Sequence, residues 1–155
     1  MMSFTTAVSS ARQALLILPL SHQEFLPTIM VVDLLRKRFR EENLTVITGD
    51  HGIEVMRMLP RSQFIHILGH EINLFYLPGA DVLERVKKKK YDLAIDLNLD
   101  FVLPSAYICK ESNASVRVGF VRKHADAFYN FQIQHDPTLG RKLIYDRLAK
   151  CLQKF

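Results

Sequence analysis

Several short stretches of the chain gather carboxylates, imidazoles, amides and cations where proton transfer or anion binding could be done. They are Ser21, His22, Gln23 and Glu24; Asp50, His51 and Gly52; Gly69, His70 and Glu71; Asn98 and Asp100; and Gly119 with Arg122. Each follows a short apolar run that reads as a strand, so each falls where a strand ends and a loop begins. A carboxylate or imidazole in such a place can pass a proton, and an arginine can hold a phosphate or carboxylate. The same residue types also populate ordinary βα loops, so the functional and the merely structural readings both stand at this point.

Sharper signatures are missing. Neither G-x-G-x-x-G nor the P-loop pattern occurs, and the G-x-S-x-G nucleophile elbow is absent, so no dinucleotide, NTP or acyl-enzyme chemistry has a fingerprint. His66, His70 and Glu71 have metal-like spacing, but that spacing converges only on a helix, and Phe64 to Leu68 reads as strand. No metal and no cofactor is therefore expected. Cys109 lies on the apolar side of a predicted helix and reads as core. Asp96, within Leu93, Ala94, Ile95, Asp96 and Leu97, reads as a buried carboxylate, for which a loop N–H is the commonest partner.

The elements that must position these residues alternate. Strands are predicted at Gln13 to Leu20, Leu44 to Thr48, Phe64 to Leu68, Ile72 to Leu77, Tyr91 to Leu97, Val116 to Gly119 and Phe128 to Ile133. Helices are predicted from Phe25 to Phe39, through Val55 and Leu59, over Ala80 to Lys90, and near Val102 to Lys110. A last helix is expected to start with Asp136 as N-cap and Pro137 at its first position, burying Leu139, Leu143, Ile144, Leu148, Cys151 and Leu152. Such alternation implies a single α/β Rossmann-like domain over residues 11–155, an open and mainly parallel sheet with helices on both faces. Met1 to Ser10 is aperiodic and expected to be loosely ordered. In sheets of this kind ligands bind beyond the carboxyl ends of the strands, where the polar stretches fall.

Composition narrows the class. At 155 residues with 48% hydrophobic and 24% charged side chains, the chain suits one globular domain. Its longest apolar run, Ala14 to Leu20, is too short to cross a bilayer as a helix and leads into no Ala-x-Ala-like cleavage site. Two cysteines make no disulfide framework, which favours a reducing, cytoplasmic setting. The net charge of +5 is concentrated in Arg36, Lys37, Arg38 and Arg40 and in Lys87, Lys88, Lys89 and Lys90. Such patches suit an anionic sugar-phosphate or the inner face of a membrane, and equally the solvated ends of amphipathic helices. With no paired zinc ligands and no aromatic RNP-like motif, nucleic acid is not an expected partner.

Three stretches carry a specific likeness. Leu15 to Leu18 with the following loop and the Pro27 to Phe39 helix, the run Tyr91, Asp92, Leu93, Ala94, Ile95, Asp96, Leu97, and Gly140 to Leu152 occur in a recognisable order. The chain resembles the N-terminal, acceptor-side domain of the family 9 glycosyltransferases, the ADP-heptose:lipopolysaccharide heptosyltransferase group. Tyr91 to Leu97 is similar to the family's YDLVIDLQG strand, and Ser112, Ala114, Arg117, Val118, Gly119 and Phe120 are similar to its SGAxxRIGF. The resemblance implies half of a GT-B fold, with the donor-binding half absent, in a bacterial, lipopolysaccharide-related setting.

The departures shape the expected function. Where the family has a Gly-Asp pair whose Asp is the general base, this chain has Gln23 and Glu24. The family's LQG becomes Leu97, Asn98, Leu99, and its nearby lysine is replaced within Leu103, Pro104, Ser105. The expectation is a non-catalytic binding or protein-interaction module, forming a homo-oligomer or joining a protein partner through the cleft-side surface. The alternative is the acceptor half of a split glycosyltransferase, with Glu24 as base and Arg117, Arg122 or Lys123 near acceptor phosphates. An unrelated flavodoxin-like or nucleotide-binding α/β domain is a third reading.

Overall fold

The computed structural model describes residues 3–20, 22–49, 52–67 and 77–154. Within them six strands form one sheet in the order β3-β2-β1-β4-β5-β6. The strands are β1 (Ala14–Ile17), β2 (Leu44–Thr48), β3 (Gln63–His66), β4 (Leu93–Asp96), β5 (Val116–Phe120) and β6 (Phe131–Ile133). Every described neighbouring pair is parallel, with Leu16 opposite Val46 on one side and Ile95 on the other. β1 and β4 are buried along their whole length, which explains their unbroken apolar runs.

Alternate residues feed two cores. Leu16, Leu18, Leu93 and Ile95 point to one face, which α1 (Phe4–Ser10), α3 (Ile29–Phe39) and α7 (Arg141–Leu152) cover. Leu15, Ile17 and Ala94 point to the other, against α5 (Ala80–Lys87) and α6 (Leu103–Glu111). α4 (Gly52–Met58) joins the first face through Val55. The sheet is the open, helix-covered α/β sandwich expected of the strand and helix alternation.

Several elements differ from their sequence reading. The N-terminal segment is a helix, α1, with Val8 buried; Arg38 ties its end to α3 by donating to the Val8 and Ser9 carbonyls at 2.8 and 2.6 Å. The helix expected from Phe25 instead begins as α2 (His22–Phe25), passes through a 3-10 turn at Leu26–Thr28 and continues as α3. Pro27 causes the break, because its ring excludes the carbonyl one α-turn back, and the Thr28 hydroxyl donates to the Phe25 carbonyl at 2.6 Å. Asp136 and Pro137 do not start the last helix. The Asp136 carboxylate accepts from the Thr138 N–H at 2.9 Å in a turn, and α7 begins at Arg141 behind Gly140. That helix buries Ile144, Tyr145, Leu148 and Ala149, leaving Leu143 and Cys151 exposed. It is turned to bury Tyr145, whose hydroxyl donates to the Leu97 carbonyl and whose ring meets Phe120 edge-on. The strand expected at Ile72 to Leu77 lies, but for Leu77, outside the described residues.

Candidate functional site at the carboxyl edge of the sheet

The carboxyl ends of the strands deliver their polar residues to one edge. There β1's continuation passes so close to the end of β2 that a Cβ at Gly49 would lie 2.5 Å from the Leu20 carbonyl oxygen. Among the described residues, one buried and one half-open polar group at this edge join residues from several elements.

The buried group is built on Asp96, the last residue of β4. Its Oδ1 accepts from the Asn98 N–H at 3.0 Å and from the Asn98 side-chain amide at 2.8 Å; its Oδ2 accepts from the Tyr129 hydroxyl at 2.6 Å. Burial pushes the Asp96 carboxyl above its ordinary value, against the lowering by these three donors. Burial, with the Asp96 charge second, pushes the Tyr129 phenol up as well. The Tyr129 ring lies where Gly119 leaves room: a Cβ there would come within 2.5 Å of it. A buried acid whose partners include a loop N–H is the structural answer the sequence pointed to.

The half-open group is a chain of ion pairs, extended by one hydrogen bond, that links five segments. The Glu24 carboxylate, on α2, lies 3.4 Å from the Arg141 guanidinium at the start of α7. Arg141 also meets Asp100, after β4, at 3.1 Å, and Arg122, after β5, approaches Asp100 at 3.8 Å. Arg122 donates to the Nε2 of His135, after β6, at 3.4 Å. A cation at the first position of a helix opposes the helix dipole, so Arg141 sits there because two carboxylates hold it.

Of the sequence-predicted residues, Glu24, Asp100 and Arg122 are thus brought together. Asn98 belongs instead to the buried group. His22 turns to Glu54 on α4 at 3.0 Å, and Gln23 is exposed beside it on α2. Lys123 is exposed on the turn after Arg122. Arg117 does not join them. Its guanidinium donates to the Ala114 and Phe128 carbonyls, both at 3.0 Å, and so braces the start of β5. Ser21, Asp50, His51, Gly69, His70 and Glu71 lie outside the described residues. Among the described residues no group of three or more His, Cys, Asp or Glu side chains could hold a metal ion.

No protein-family profile matches the chain, and no curated protein matches it significantly. Solved structures do. The glycosyl transferase family 9 from Veillonella parvula DSM 2008 superposes with a TM-score of 0.67 at 18% identity, over 90% of this chain and 41% of that one. E. coli ADP-heptose lps heptosyltransferase II gives 0.65 at 18% identity, over 88% and 40%. The shared architecture is the open parallel sheet with helices on both faces. E. coli heptosyltransferase WaaC with ADP-2-deoxy-2-fluoro heptose extends it, at a TM-score of 0.62 and 13% identity, over 92% of this chain and 49% of that one. The chain therefore spans less than half the length of each of these glycosyltransferases. In this fold the stretch matched to YDLVIDLQG is β4 with its flanks, and both of its acids are engaged: Asp96 as above, and Asp92 by the Arg12 and Gln13 N–H groups at 2.8 and 2.9 Å.

Arg141, His135, Tyr129 and Tyr145 were not singled out from the sequence. An arginine directly after a helix-starting glycine, with no acid in the first turn, is the one local signal that could have marked Arg141.

Proposed function

We propose that the chain works as a binding or protein-interaction module on a glycosyltransferase fold, without transferring sugar itself. The observation that carries this reading is the state of Glu24. The carboxylate standing where the resemblance puts the general base is ion-paired to Arg141, which is itself held by Asp100. A general base needs its lone pair within hydrogen-bond reach of the acceptor hydroxyl, and an arginine across it competes for that lone pair. The Gln23-Glu24 replacement of Gly-Asp and the missing lysine support the same reading.

Large apolar side chains are exposed on the segments that leave this edge: Leu26, Ile29 and Met30 before and within α3, Ile53 and Met56 on α4. Grouped exposed apolar residues of this kind mark protein contacts, and a second copy or another chain is the proposed cover. Native pull-down with sizing of the purified chain tests it. A stable assembly that Ile53→Asp dissolves is expected; a monomer that captures nothing contradicts it. Titration with an ADP-sugar is expected to show no saturable binding, and tight binding would overturn the non-catalytic reading.

The second reading is the acceptor half of a split glycosyltransferase acting on a lipopolysaccharide-like acceptor. It is favoured by Glu24, Asp100, Arg122 and Arg141 meeting at one edge, a set able to bond sugar hydroxyls and phosphate. In a reconstituted pair Glu24→Gln would then slow transfer by roughly 10²–10⁴.

A further inference from the structure

A cavity of about 600 Å³ lies between α7 and the sheet. Its floor includes Ile95 and Val118, its roof Leu148. Well-packed interiors leave few voids larger than a water molecule, whereas ligand pockets run to roughly 300–1,000 Å³ and are mainly apolar with a few placed polar groups. Here the polar lining comes from β6, the segment after it and α7, as Gln132, Gln134, Asp136 and Arg147.

That lining selects the head of a ligand. Its two amides offer both donors and acceptors, although Gln132 already gives an N–H to Asp126. Asp136 accepts from the Thr138 hydroxyl and N–H at 2.6 and 2.9 Å, which holds its carboxyl below the ordinary value and ionised at neutral pH. Arg147 carries the opposite charge, so the lining has no net charge. A charged head of either sign is drawn by one of these residues and repelled by the other, and nothing repays the water it gives up. Hydroxyls, which both donate and accept, lose less on leaving water and match the mixed lining. His135 lines the cavity too, but its Nε2 faces Arg122 at 3.4 Å and its Nδ1 is buried, so neither ring nitrogen is offered to a ligand.

We propose that this cavity binds an uncharged amphiphile, its acyl chain between α7 and the sheet and its hydroxylated head among Gln134, Asp136 and Arg147. The proposal does not depend on the reading of Glu24. Cys151 lines the cavity and is exposed, while Cys109 is buried, so modification of the full chain by iodoacetamide reports on occupancy. Monodecanoylglycerol, kept below its aggregation concentration, is expected to slow Cys151 modification saturably, at least about tenfold, and to raise the melting temperature by mass action. Decanoate and decyltrimethylammonium should bind at least about tenfold more weakly, for want of any return on desolvating the charge. Asp136→Asn, which leaves the lining net positive, is expected to tighten decanoate binding about twofold to fivefold, the range of an exposed charge pair. An unchanged Cys151 rate with no thermal shift, a charged amphiphile matching monodecanoylglycerol, or decanoate binding indifferent to Asp136→Asn would overturn the proposal.

Discussion

Two carboxylates at the same edge of the sheet, Asp96 and Glu24, live under opposite conditions. Asp96 is buried and receives three donors from Asn98 and Tyr129, a group closed off from solvent. Glu24 is partly exposed and shares Arg141 with Asp100, in a chain whose members could exchange their partners for a ligand or another protein. The difference separates scaffold from surface. Removing a buried acceptor leaves donors unpaired at full desolvation cost, whereas opening an exposed ion pair returns its ends to water.

Asp96→Ala is expected to have the largest effect. It leaves the Tyr129 hydroxyl and the Asn98 amide buried without an acceptor, and is expected to cost about 2–5 kcal/mol in urea denaturation. Gly119→Ala reaches the same group sterically. Its Cβ, 2.5 Å from the Tyr129 ring, must push that ring off Asp96, for about 1–3 kcal/mol by the same measurement.

Asp96→Asn is expected to act through pH. Because burial raises the folded carboxyl above the ordinary 3.8, the stability this group contributes is fully present below that value and lost as pH rises through the folded one. The unfolded chain sheds its proton first, which favours unfolding. The gap in stability between wild type and Asp96→Asn is therefore expected to be widest in acid and to narrow toward neutral pH. Glu24 sets the small end of the scale. Arg141→Gln is expected to change stability by only about 0–1 kcal/mol, and less in 1 M salt, because the ion pairs it opens are exposed and screened.

Local pattern carried most of the sheet. The apolar runs at Leu44–Thr48 and around Leu93–Asp96 are strands because both faces of the sheet are covered, and the turn chemistry at Gly49 ends β2 where it was read. Asp96 was legible as a buried acid from its neighbours alone. Failures came where distant residues decide. α1 is aperiodic in sequence and is anchored by Arg38, about thirty residues away. Asp136 and Pro137 have the grammar of a helix start, yet the Thr138 N–H takes the carboxylate and the helix begins at Arg141. In the site, Glu24, Asp100 and Arg122 could be read as strand-end residues. Arg141 and His135 could not, because they join the others only through space. Half of the basic charge assigned to surface patches is likewise engaged internally: Arg36 and Lys37 by Asp33, Arg38 by α1, and Lys87 by Glu111.

Glu24 is the residue on which sugar transfer by this chain would depend. The most direct measurement is sugar transfer from an ADP-sugar by the purified chain alone, wild type beside Glu24→Gln, with a lipopolysaccharide-type acceptor. Turnover at background for both proteins is the predicted result. Transfer above background that falls by roughly 10²–10⁴ in Glu24→Gln would contradict it and make Glu24 the base of a working glycosyltransferase.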